Sequence, residues 1–181
     1  MTSSDDTALP KDLISELDGM VGAVLEGGAE GSGVSVGVAC AKFNGKITSR
    51  LLQGVLEGLD ACRVDRDDVR VAWVPGAFEL PLAARSFASS GAVDAVVCIG
   101  AVIRGETGHY DFVAGECAAG LQRVQLDWGI PVVFGVLTTD TVEQAFRRSE
   151  PGTSNKGREA ACTAIEMHSL LAALRAPGLP A

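Results

Sequence analysis

The sequence predicts an α/β protein: a three-layer α/β/α sandwich with a four-stranded parallel sheet, preceded by an N-terminal extension. Three observations carry this. Four short apolar runs recur along the chain, bounded by Gly, Pro or polar residues, as strands buried on both faces are. A helical apolar pattern follows each run, which calls for parallel strands joined by crossovers. Right-handed crossovers then place helices on both faces of the sheet. The 181 residues are 47% hydrophobic and 21% charged, the balance of a single soluble domain with a real core.

In chain order, residues 1–10 read as a polar, acidic tail. From Lys11, the apolar positions Leu13, Ile14, Leu17, Met20, Val21, Val24 and Leu25 fall at helical spacing. Gly19 and Gly22 weaken that helix by roughly 1 kcal/mol each relative to Ala. Gly27-Gly28-Ala29-Glu30-Gly31-Ser32-Gly33 reads as a linker, so residues 1–30 are expected to be an appendage and 31–181 the folded domain. Val34 to Ala41 is the first strand, and Ile47 to Cys62 an amphipathic helix with Ile47, Leu51, Leu52, Val55, Leu56 and Leu59 on one face. Val69 to Val74 is the second strand, closed by Pro75-Gly76. The helix from Phe78 to Ser89 tolerates Pro81 in its first turn. Ala95 to Ile103 is the third strand, with a helix from Asp111 to Trp128. Pro131 to Leu137 is the fourth strand, Thr141 to Arg148 a short helix, and Gly157 to Leu174 the last.

Composition excludes several functions. A net charge of −8 with scattered basic residues offers no basic face to a nucleic acid. No apolar stretch reaches the roughly 20 residues of a membrane span. The N-terminus resembles neither a secretory signal nor an Arg-rich transit peptide, so a cytoplasmic protein is expected. The five cysteines are far apart without a CxxC pair, and read as reduced structural thiols. The two histidines lack a ligand partner at useful spacing, so no metal site is expected. No Ser-His-Asp order, GxGxxG or GxxxxGK[ST] motif occurs.

In sheets of this kind the site lies outside the carboxyl ends of the strands. Residues Cys98 to Phe112, CIGAVIRGETGHYDF, pass there from buried strand through a Gly-flanked loop into a helix N-terminus. Free amides and the helix dipole make such a loop an anion site. Alone, His109 reads as either a solvated loop residue or a proton carrier; beside an anion site the second reading gains. Phe43 is either a core aromatic or a stacking platform for a flat ring. Glu79, at a helix start, complements the dipole or accepts hydrogen bonds from a ligand. Arg148 and Lys156 flank a Pro/Gly loop, as solvated cations or as a phosphate clamp. Spacing does not separate Arg148 from Arg147. His168, mid-helix, reads as structural.

Taken together, five segments resemble the lumazine synthase family: VACAKFNGKIT (38–48), VPGAFELP (74–81), CIGAVIRGETGHYDFVA (98–114), PVVFGVLTTDTVEQA (131–145) and NKGREAACTAIEM (155–167). The resemblance runs from about Glu30 to about Leu171 in the family's order. GVLTTDTVEQA together with GAVIRG-x-T-x-H is highly specific.

The resemblance implies a flavodoxin-like fold and a transferase of riboflavin biosynthesis. It would condense 5-amino-6-(D-ribitylamino)uracil with 3,4-dihydroxy-2-butanone 4-phosphate to 6,7-dimethyl-8-ribityllumazine, releasing phosphate and water, with no cofactor. Carried over by position, Phe43 would stack on the pyrimidine with Asn44 nearby. Ala77, Phe78 and Glu79 would hold the ribityl chain, and Ala101, Val102 and Ile103 would line the ring pocket. The amides of Glu106 and Thr107 would bind the phosphate with Arg148, and Lys156 would be a nearby cation. Phe134 would complete the pocket of an adjacent subunit, and His109 would be the general acid/base.

The family also implies a homo-oligomer, a pentamer or decamer or a sixty-subunit icosahedral capsid, with sites between subunits. The loop from Arg148 to Asn155 has the short form that goes with the shell, with Pro151 as a departure. Glu106 and Gly108 depart from the small residue and the Pro or Thr common there. An alternative is a weakly active lumazine- or flavin-binding or shell-forming paralogue; losing His109, Arg148 or Phe43 would mark it, and all three are present. A dismutating riboflavin synthase of archaeal type is a third possibility that the GVLTTDT and NKG segments fit less well.

Overall fold

A computed structural model describes residues 11–17 and 20–176. The expected tail, residues 1–10, lies outside the described residues. Helix α1 (Lys11–Leu17) is followed by β1 (Val36–Ala41), α2 (Gly45–Ala61), β2 (Val69–Val74), α3 (Leu80–Ser89) and β3 (Ala95–Ile103). The chain closes with α4 (His109–Trp128), β4 (Val132–Thr139), α5 (Val142–Arg148) and α6 (Lys156–Arg175). The four strands form one parallel sheet in the order β2-β1-β3-β4. This is the predicted three-layer sandwich, and no helix of the described residues is long and apolar enough to cross a membrane.

Strand β3 is buried almost throughout, and its alternate side chains feed both layers. Ala95, Val97, Ile99 and Ala101 pack with Leu51, Val55 and Leu59 of α2 and with Ala161, Ala164 and Ile165 of α6. Val96, Cys98 and Val102 pack with Leu80 and Ala84 of α3 and with Cys117, Leu121 and Val124 of α4. Alternation on a strand with helices on both faces requires this division. Burial pushes the Cys40 thiol up to about 11 and the Cys117 thiol up to about 12, so both are inert fillers of core space.

Two expectations fail at the N-terminal end. Helix α1 stops at Leu17 rather than near Leu25, and Val21, Ala23, Val24 and Leu25 adopt no helix. Two glycines within a few residues cost more than a marginal helix can recover. The glycine run expected to be a free linker lies against the domain instead. The amide of Gly28 donates to Ser169 Oγ (3.0 Å) on α6, and that of Gly31 to the carbonyl of Cys62 (2.7 Å). A Cβ on Gly27 would collide with the backbone of Glu166, and one on Gly31 with Val64 and the Cys62 carbonyl. Here glycine allows close approach rather than flexibility. Glu30 completes the seam, pairing with Arg63 at 2.8 Å. Hydrogen bonds from Ser32, with Arg63 beside it, hold the Glu30 carboxyl below its usual range.

Candidate active site

The chain goes from β1 to β2 on one side and then returns to β3 on the other. Loops leaving β1 and β3 therefore diverge, and a crevice opens between them at the carboxyl edge. Backbone bonds shape its first wall: Lys42 donates to Val74 (2.8 Å) and Phe43 to Pro75 (3.1 Å). These zip the loop after β1 to the loop after β2 and bring Phe43 beside Ala77, Phe78 and Glu79. Asn44 caps α2 in a left-handed conformation, φ 57°, which Asn tolerates better than most residues. Its carbonyl accepts from Ile47 and Thr48, and its Nδ2 donates to the carbonyl of Ala101 across the crevice at 2.8 Å.

The resulting cavity is about 610 Å³ and is lined by Phe43, Asn44, Gly76–Glu79, Ala101–Ile103, Gly105, Thr107, His109, Tyr110, Phe112 and Val113. It thus gathers His109, Phe43, Asn44, Ala77, Phe78, Glu79, Ala101, Val102, Ile103 and Thr107 of the predicted set. A mainly apolar cavity of this size with a few convergent polar groups suits a small organic ligand. Phe43 is 70% exposed and Phe78 57%, so both rings stand free at the mouth rather than in the core. One Glu79 oxygen accepts from the Gly76 amide at 2.9 Å and closes the turn over Ala77–Glu79. Its other oxygen accepts no bond among the described residues and lies in the cavity lining.

Helix α4 begins at His109, two residues earlier than the sequence pattern indicates, with Gly108 at the N-cap and no side-chain cap. Its first turn therefore presents His109, Phe112 and Val113 on one face, at i, i+3 and i+4. Tyr110, Phe112 and Val113 are lining residues that the sequence pattern does not single out; starting the helix at His109 exposes the spacing that finds Phe112 and Val113, and no such spacing finds Tyr110. The amides of Glu106 and Thr107 donate to no other group among the described residues. They stand next to the positive end of α4, the arrangement that receives an oxyanion. The His109 ring has no hydrogen bond among the described residues; its amide approaches Thr107 Oγ1 at 3.4 Å.

Glu106 itself is exposed and its side chain does not line the cavity. Phe134, Arg148 and Lys156 also lie apart from it. Phe134 is 39% exposed on the edge strand β4, in register with Cys98 rather than with the carboxyl end of β3. Arg148, at the end of α5, donates to the carbonyl of Gln144 at 3.2 Å, and Lys156 pairs with Glu159 at 2.6 Å. Between those two cations Asn155 is buried and caps α6. Its Oδ1 accepts from Gly157 (2.8 Å) and Arg158 (3.4 Å), and its Nδ2 donates to the carbonyls of Arg50, Ser149 and Glu150. His168 is half-buried on α6, away from the cavity.

Residues 33–172 match the family model described as 6,7-dimethyl-8-ribityllumazine synthase.

Proposed function

The chain belongs to the 6,7-dimethyl-8-ribityllumazine synthase family, a transferase family of riboflavin biosynthesis acting on small molecules, and on that premise we propose that it condenses 5-amino-6-(D-ribitylamino)uracil with 3,4-dihydroxy-2-butanone 4-phosphate. The observation that carries the reading is one cavity holding a free aromatic face, the unused amide of Thr107 beside a helix N-terminus and a histidine without a partner among the described residues. Phe43 stacks on the pyrimidine, Asn44 and the strand end Ala101–Ile103 hold its edge, and Ala77–Glu79 receive the ribityl chain. The amides of Glu106 and Thr107 take the butanone phosphate. The substrate amine attacks the ketone itself, so the protein supplies positioning, proton transfer and a fixed leaving group. His109 moves the protons of imine formation and ring closure.

Phe134, Arg148 and Lys156 serve the site from an adjacent copy in this reading. None of them lines the cavity of its own chain, and Trp73, Leu82, Leu126, Trp128 and Phe134 leave much apolar surface uncovered on the monomer. Surface of that kind supports a homo-oligomer, here a pentamer or a sixty-subunit shell in the cytoplasm. Mixing purified protein with the two substrates and following lumazine fluorescence tests the reaction. Turnover supports it; lumazine binding without turnover favours a weakly active binding or shell-forming paralogue. Electron microscopy of the same sample distinguishes pentamer from shell.

A further inference from the structure

Arg104 is the most conspicuous charge near the cavity, yet it does not line it. Its guanidinium holds three other groups. Nε donates to Asp140 Oδ1 at 3.0 Å, on the loop between β4 and α5, and Nη1 to Asp111 Oδ1 at 3.3 Å, in the first turn of α4. The guanidinium carbon lies 4.0 Å from the centre of the Tyr110 ring. Its own amide donates to the carbonyl of Thr139 at 2.9 Å. The Asp140 hydrogen bond, assisted by Asp111, raises the already high pKa of Arg104.

These contacts enclose a short stretch of chain. Residues 105–108 begin and end in glycine, and no side chain caps the helix that follows. Left to itself such a loop samples many conformations. Arg104 stands at its first end and grips Tyr110 and Asp111 just past its last. A lone half-exposed ion pair contributes little, but two carboxylates and an aromatic face on one rigid fork define a geometry that a lysine ammonium does not reproduce. We propose that Arg104 is a positioning residue: it spans loop 105–108 and sets the Glu106 and Thr107 amides and the His109 ring in place for the phosphate-bearing substrate. This rests on the synthase reading above and assigns to that site a residue that touches no substrate.

The test is steady-state kinetics of the assembled protein carrying Arg104→Ala, Arg104→Lys or Asp140→Asn, with hydrogen exchange of each. Arg104→Ala raises the KM for the butanone phosphate about tenfold, within the roughly 100-fold that a small misplacement costs. The KM for the ribitylaminouracil stays within about twofold, because its ring pocket lies on β1 and β3. Arg104→Lys does not restore the wild-type value, and Asp140→Asn shifts the same KM in the same direction, less far. Amides of residues 105–110 exchange faster in Arg104→Ala while those of β1 and β3 do not. Equal rises in both KM values, full rescue by lysine, or unchanged exchange at 105–110 each overturn the inference. Wild-type protein without turnover overturns the synthase reading instead, and the inference falls with it.

Discussion

Gly54 on α2 and Asn155 at the cap of α6 are in such close contact that any Cβ on Gly54 would collide with the Asn155 carboxamide. That carboxamide serves five backbone groups: two amides of α6 and the carbonyls of Arg50, Ser149 and Glu150. It therefore fixes the loop between Arg148 and Lys156 to the outer layer of the sandwich. Asn155→Ala should destabilise the fold by about 2–4 kcal/mol, combining a lost cap with stranded carbonyls. Asn155→Asp should be comparably harmful, although Asp is as good a simple cap, because it cannot donate. Gly54→Ala should lose about 1–3 kcal/mol despite its better helix propensity. Denaturant midpoints decide; an Asn155→Asp variant as stable as wild type would reduce the residue to an ordinary cap.

The N-terminal seam depends on glycine in a different way. Gly31→Ala forces Val64 and the Cys62 carbonyl away from the chain, and should detach the segment before Val34. Limited proteolysis should then cut between Gly27 and Ser35 much faster than in wild type, while the sheet survives. Equal cleavage rates would show that the contact contributes nothing to holding the segment.

His109→Ala should lower kcat by roughly 100-fold, the low end of what a positioned proton carrier contributes, and leave measurable turnover. In the proposed reaction, attack by the substrate amine and anchoring of the phosphate would both survive the change. Complete loss of activity in a variant that still binds lumazine would contradict this division of labour.

Gly108 has φ −66° and ψ 2°, with open space where a Cβ would stand. Its φ already suits proline, and its amide has no partner to lose among the described residues. Gly108→Pro should raise stability by about 0.4–1 kcal/mol by restricting the unfolded chain, and should lower the KM for the butanone phosphate. A KM that does not move would show that the loop is already rigid.

Much of this is legible in the sequence for physical reasons. A buried parallel strand leaves a continuous apolar run, so β3 falls at the residues its pattern indicates, Ala95–Ile103; β2, Val69–Val74, lies at the sheet edge, mostly unburied, and is delimited instead by Pro75-Gly76 at its end. Helix α4 is harder to delimit, because Gly108 caps it without the side-chain signature that marks a start. Gly27 and Gly31 carry no local sign that they lie against the folded domain, since a contact glycine and a linker glycine have the same letter. Phe43, Asn44, Glu79 and His109 stand out because they follow the carboxyl ends of strands, where this topology opens a crevice. Arg148 and Lys156 are singled out by flanking a Pro/Gly loop and Phe134 only by the family resemblance, and neither signal specifies which cavity a side chain faces.

Strands β1 and β3 are paired only as far as Cys40 and Ile99. Past that point they part, and one carboxamide, Asn44 reaching the carbonyl of Ala101, spans the gap. The jaws are thus set before anything enters them, by a bar a single side chain wide. A ligand entering there would meet walls already ordered, and would forfeit less entropy on binding than it would against loose loops.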